Sequence, residues 1–268
     1  MNRVFLTHNI KSLLLILSFI SFQLSPFPAK ADGIVHLTVG EWPPYTSQHS
    51  PFGGFATHVV TEAFSAAGLD VEYRYLPWAR AGEYAKRGKD THGGEWHGSV
   101  GWAYTEERGK HYDYSDSLGK SQQVLFYLKS RPLVWQELND LKGKTIGVNL
   151  VNPYSRLAKA AEDGLIYLES GGNYDVLLTK LLYRQLDAIS MTKAVGLHYL
   201  ESNYSEEEKS RIGYSPVPLS TRDFYLIFSK QIESNKALRE KFNQGLNTIR
   251  NNGIYDLIYQ NLLDGKYD

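Results

Sequence analysis

Arg108 is the residue best suited, by type and setting, to grip an anion. It stands in Gly98–Asp116, GSVGWAYTEERGKHYDYSD, six residues after Trp102. Gly98, Ser99 and Gly101 beside Trp102 mark a strand end that something must approach closely. Thr105 reads as the N-cap of a short helical turn opened by Glu106 and Glu107. An Arg projected from such a turn beside an aromatic wall offers a carboxylate two parallel charge-assisted bonds. The plainer alternative is a surface Arg paired with Glu106 or Glu107.

Arg80, two residues after Trp78, is a possible second positive group, with Glu83 and Glu41 as ordinary ion-pair partners. The chain has 19 Tyr and 5 Trp, and Trp42, Tyr45, Trp78, Trp102 and Tyr104 cluster near turns. Such rings either fill a core or line a cleft, and their place beside turns favours the cleft. Other chemistries find less support. The histidines form no HxH or HxxxH pair, so no metal site is expected. There is no Gly-rich phosphate loop and no G-x-S-x-G elbow. The absence of Cys removes thiol catalysis, iron–sulfur chemistry and disulfides, so a sizeable core must carry stability unaided. No cofactor is expected.

Arg3 and Lys11 precede an apolar run, Leu13–Leu24, and Pro28-Ala29-Lys30-Ala31 places small residues at −3 and −1 of a cleavage site. This reads as an export signal cut after Ala31, too short to span a bilayer comfortably. The cut leaves 237 of the 268 residues, enough for one large or two medium domains. It removes three of the 29 basic residues and none of the 29 acidic ones, a net charge of −3. That near-neutrality gives no reason to expect nucleic acid or an anionic membrane surface as partner.

Strands and helices must position these groups. Ile34–Val39 alternates as a strand, stopped by Pro43-Pro44. Val60, Ala63, Phe64 and Ala67 fall on one helix face ended by Gly68. Val71–Leu76 is a second strand, Trp78 to about Arg87 a helix, and Gly98–Trp102 a third strand. Gln122–Leu128 follows, and then the pattern starts again. Thr145–Asn149 reads as a strand, Pro153–Ala161 as a helix, Leu165–Glu169 as a strand and the Tyr174–Leu181 stripe as a helix. Leu186–Met191 is a buried strand. Tyr225–Ser229, a helix through Leu238 and Ile249, and a shorter one through Ile258 close the chain. Two βα series with a strand–helix–helix coda imply an α/β protein. It is either one doubly wound sheet or two lobes, with Gly119–Ser121 and Pro216–Ser220 as paired crossovers.

The order and spacing of several segments resemble the family 3 solute-binding proteins, the periplasmic receptors of polar amino acid ABC transporters. The segments are VGEWPPYTS after the first strand, PWAR at Pro77–Arg80, GW-x-x-TEER ending at Arg108, and YSDSL. DLKGKTIGVN at Asp140–Asn149, QLDAISM at Gln185–Met191 and the C-terminal NKALREKFNQGLNTIRNNGIYDLIYQ complete the set. The resemblance runs from about Val35 to the C-terminal residues. It implies a type II periplasmic binding protein: two βα lobes joined by two crossover strands, residues 32–119 with 220–268 in the first and 120–219 in the second. The ligand then binds between the lobes. By the same resemblance Arg108 holds the ligand carboxylate, and Trp42 or Tyr45 and Trp78 line the cavity.

Three departures stand out. Amino acid binders of this family carry an acidic residue beyond the L-D-A strand for the ligand ammonium; here that position is Thr192, followed by Lys193. A Gly-Thr-Thr helix start is replaced by Val151-Asn152-Pro153, and a Ser-rich strand end by Gly101-Trp102-Ala103. Fold is unaffected, but the expectation of a free α-amino acid weakens. The leading expectation is a monomeric periplasmic receptor for a small polar solute, amino acid-like or otherwise anionic, serving a membrane permease. Trp102, Trp78, Tyr104 and Arg80 accompany Arg108, and Asn152, Tyr154, Ser155 and Thr192 face it from the second lobe. The alternatives are an enzyme on the same fold resembling cyclohexadienyl dehydratases, with Glu41 or Glu95 as general acid, and a sensor feeding a membrane receptor.

Overall fold

The computed structural model describes residues 33–149 and 155–268. The segment expected to be an export signal, Asn152 and Tyr154 lie outside the described residues, as does the side chain of Ser155. In chain order the elements are β1 (Ile34–Val39), α1 (Phe55–Ala66), β2 (Asp70–Tyr75), α2 (Trp78–Arg87), β3 (Gly98–Ala103) and α3 (Glu106–Gly109). They continue with β4 (Tyr112–Tyr114), β5 (Gly119–Leu128), β6 (Thr145–Val148), α4 (Ser155–Glu162), β7 (Tyr167–Ser170), α5 (Tyr174–Leu182) and β8 (Ala188–Thr192). The last are α6 (Lys193–Asn203), α7 (Glu206–Arg211), β9 (Ile212–Tyr214), β10 (Ser220–Ser229), α8 (Asn235–Asn251) and α9 (Ile254–Leu263).

Among the described residues the strands form one continuous curled sheet, ordered β2-β1-β3-β10-β5-β8-β6-β7, with β4 added to β10 and β9 to β5. Each half carries a parallel trio: β2-β1-β3 in one and β8-β6-β7 in the other. The antiparallel strands β5 and β10 join them. Both architectures read from the sequence therefore meet in one object, a single sheet that serves two lobes.

The crossovers are longer than hydrophobic patterning predicts. β5 starts at Gly119, three residues before the expected strand, and β10 at Ser220, five residues before. The reason is polarity: Ser220–Asp223 is only partly buried and carries no apolar alternation. Its pairing with Gln123–Lys120 is made by backbone hydrogen bonds, which residue type does not reveal.

The first half packs its core between sheet and helices, with Phe55, Phe64, Phe224, Phe228, Phe242 and Tyr267 fully buried. Burying each such ring contributes roughly 2–3 kcal/mol. α1 and α8 approach so closely that a Cβ on Gly245 would lie 1.9 Å from the Ala63 carbonyl oxygen. The second half packs both faces of its sheet, Phe126, Leu177, Leu178 and Ile189 on one side and Leu125, Trp135, Ile146 and Leu157 on the other. As the paired-crossover reading implies, the coda returns to the first half, where β10 pairs with β3 and α8 packs on α1.

Candidate functional site

Strand register places the cleft. Ala103, at the end of β3, lies opposite Phe224, and Phe224 lies opposite Gly119. Thr192, at the end of β8, lies opposite Gln123. The C-terminal ends of β3 and β8 thus face each other across the segment Gly119–Gln123. Four residues at about 3.3 Å each separate the two ends by about 13 Å along the strands. Helix α6 starts at one rim and α3 at the other, the usual setting for ligands in open α/β sheets.

Arg108 rises from the first rim. The Thr105 side chain accepts the Arg108 backbone N–H at 3.2 Å and caps α3, as its sequence position predicts. Arg108 Nη1 donates to the Ala103 carbonyl at 3.0 Å, and its guanidinium carbon lies 4.8 Å from the Trp102 ring centroid. Among the described residues no carboxylate pairs with it. Glu107 instead pairs with Lys110 at 2.5 Å and lies 3.9 Å from His111, and Glu106 makes no ion pair with Arg108. One arm of the guanidinium is tied back, and among the described residues the other donors have no hydrogen-bond partner. This is the state expected of an anion clamp before it meets its anion.

The aromatic wall is built on glycines. The register of β3 against β10 skips Gly101, a bulge with φ +90, and this sets Trp102 opposite Tyr225. A Cβ at Gly101 would lie 3.3 Å from the Trp78 ring, and one at Gly40 only 2.3 Å from it. Trp78 meets Trp102 edge to face, with ring centroids 5.1 Å apart at 88°. Trp78 Nε1 donates to the Glu41 carbonyl, and Trp102 Nε1 to Ser99 Oγ at 2.7 Å. Both rings are half-buried and fixed in place. What approaches the β3 end closely is therefore Trp78, a neighbouring wall residue.

The remaining first-rim candidates divide. Trp42 is half-buried and stacks on Tyr45 at 4.2 Å. Tyr45 is 3 % exposed and packs against Phe55 and Phe224, so in this conformation it backs Trp42 from the core and offers no ring to a cleft. Its position beside a turn does not distinguish the two roles. Tyr104 is 60 % exposed and leans on Tyr114, which meets Tyr225. Burial pushes the Tyr112 phenol up to about 12, with Arg108 pulling the other way, and its hydroxyl donates to the Gly82 carbonyl. Arg80 is exposed, and neither expected partner takes it: Glu83 holds Arg87 at 2.6 Å, and Glu41 accepts the Gln48 backbone N–H.

Across the gap, Thr192 is buried and donates to Gln123 Oε1 at 3.2 Å, and Gln123 Nε2 donates to Ser190 Oγ at 2.9 Å. This neutral chain holds the β8 end to the crossover. The Lys193 ammonium sits 4.7 Å over the Tyr214 ring, so its charge has a neighbour. Gln123 and Ser190 were not among the residues singled out by sequence. Sequence gives little signal for either: Gln123 ends the polar run Lys120–Gln123 of β5, and Ser190 lies between Ile189 and Met191 in β8. Of the two general-acid candidates, Glu41 accepts the Gln48 backbone N–H and Glu95 lies 3.8 Å from His97.

The fold and this site define a two-lobed α/β clamp, a solute-binding protein. The chain belongs to the bacterial extracellular solute-binding proteins, family 3, whose model matches residues 34–264. It is 23% identical over 238 residues to a "Probable histidine-binding protein" of Campylobacter jejuni subsp. jejuni, covering 85% of each chain. Among solved structures it is similar to an ancestral arginine-binding protein bound to arginine, with TM-score 0.63 and 24% identity over 86% of this chain and 98% of that one. It is likewise similar to the second substrate-binding domain of Lactococcus lactis GlnP in an open conformation, with TM-score 0.65 and 19% identity, covering 87% and 94%. These likenesses show the fold, a type II periplasmic binding protein; the family to which the chain belongs binds solutes, amino acids among them.

Proposed function

We propose that this protein is an exported receptor that closes its two lobes on a small polar solute bearing a carboxylate or other anionic group. The observation that carries this reading is Arg108: half-buried, stacked on Trp102, without a carboxylate partner among the described residues, and carried by α3 just beyond the end of β3. Trp42, Trp78 and Trp102 serve as walls, and Thr192, Asn152, Tyr154 and Ser155 as contacts from the second lobe. The lobes comprise residues 32–119 with 220–268, and 120–219. The receptor is secreted to the periplasm after cleavage behind Ala31, acts as a monomer without catalysis, and delivers its ligand to the permease of an ABC transporter.

The test is a thermal-shift and calorimetric screen of proteinogenic amino acids and small mono- and dicarboxylates. A ligand raises the melting temperature by mass action in proportion to its affinity. At least one compound with a carboxylate shifts the wild type and fails to shift Arg108→Ala. If the variant keeps the affinity, Arg108 is not the clamp. If no compound of the screen binds, the anion-receptor reading falls.

A further inference from the structure

The lobes share more than the two crossover strands. Tyr267 is 1 % exposed in the first-lobe core, with its ring 6.5 Å from Phe55 and 6.0 Å from His58. Its hydroxyl lies 2.7 Å from His58 Nδ1, and its carbonyl accepts from Ser50 Oγ at 2.7 Å. Backbone bonds from Lys266 to Asn261 and from Asp268 to Gly265 close the turn, which Gly265 permits at φ +69. The next residue is therefore held rigidly on the first lobe. Its carboxylate lies 2.7 Å from Nδ1 of His198, with both side chains mostly shielded, at 16 % and 26 % exposure.

His198 belongs to α6, which follows β8 in the second half of the sheet. Ala194 and Val195 of the same helix pack with the first-lobe core. Positions 194, 195 and 198 fall on one helical face, because residues three and four apart are neighbours. One face of α6 thus meets the first lobe through two apolar side chains and one polar contact.

We infer that Tyr267–Asp268 is a third, non-covalent strut between the lobes, and that the Asp268–His198 contact limits rotation about the crossover strands. Lobe rotation moves α6 relative to Asp268, so this contact cannot persist through a large change of angle. Because α6 directly follows Thr192, the strut also positions the second rim of the cleft. His198 and Asp268 are positioning residues, acting through the placement of α6.

The natural chain contains no Cys, so spin labels at Glu162→Cys and Lys236→Cys, both exposed positions on opposite lobes, report the inter-lobe distance alone. In ligand-free protein, Asp268→Ala and His198→Ala each broaden the distance distribution. The double variant is no broader than either single one, because both remove the same contact. His198→Leu, which keeps an apolar side chain on the helix, broadens it equally and guards against loss of packing as the cause. Circular dichroism establishes that each variant is folded. Distributions that match the wild type, or effects that add in the double variant, overturn the strut. No ligand enters the measurement, so its failure is separate from failure of the Arg108 reading.

Discussion

Arg108 lies with its guanidinium carbon 4.8 Å from the centre of the Trp102 ring and one nitrogen on the Ala103 carbonyl at 3.0 Å. The two contacts fix the plane of the fork, which would lower the ordering cost of binding the anion proposed above. A hydrogen bond to a charged group contributes about 1.5–3 kcal/mol. Losing a two-bonded carboxylate contact therefore weakens binding on the order of 100-fold or more. Arg108→Ala is expected to lose that much by calorimetry, with unchanged circular dichroism. Arg108→Lys keeps the charge but not the fork, and recovers only part of the loss.

Thr105 acts one step behind Arg108. Its hydroxyl caps a helix of four residues, too short to hold itself together by propensity. Thr105→Ala costs about 1 kcal/mol, which in a chain of this size lowers the melting temperature by roughly 2–4 °C. The same variant loosens Arg108 and weakens ligand binding, while Thr105→Ser retains both. A normal affinity in Thr105→Ala would show that the turn is held by other contacts.

Gly40 tests the wall. A methyl group there would sit 2.3 Å from the Trp78 ring. Gly40→Ala must displace Trp78, which also loosens its bond to the Glu41 carbonyl and its edge contact with Trp102. Overpacking of this kind costs about 1–3 kcal/mol. The expected signs are a lower unfolding midpoint and a changed near-ultraviolet Trp dichroism. An unaltered Trp signal would mean that Trp78 is free to move.

The Arg108 turn is legible in sequence because its signals are local: a cap, two acids, a small-residue strand end. Helix α2 is equally plain, bounded by Pro77 and Gly88. By contrast, α6 carries no stripe to read. Its Val195 faces the first-lobe core and its Leu200 the second, so burial is spread around the helix. β4 and β9 are three residues each and exist only by pairing with β10 and β5. Likewise, Tyr45 and Trp42 share one turn, and only the packed Phe55 and Phe224 decide which ring is buried. The choice of Glu83 for Arg87 rather than Arg80 is a matter of side-chain geometry within one helix.

His58 and His97 make stability depend on pH in a readable way. Burial holds both below the ordinary histidine value, while Glu62 and Glu95 respectively pull them back up. His97 Nδ1 also accepts the His36 backbone N–H at 3.2 Å, a bond that needs the neutral ring. The unfolded chain, with histidines near 6.5, takes up protons before the folded one does. Their contribution to stability is thus fully present above about pH 6.5. It is lost as pH falls through that value toward the lower folded values, where the loss levels off. Carboxylates with ordinary values near 4 enter only at lower pH. The unfolding midpoint is therefore expected to drop between pH 7.5 and 5.5, and to drop less in His58→Gln and His97→Gln. An equal drop in both variants would place the origin of the pH dependence elsewhere.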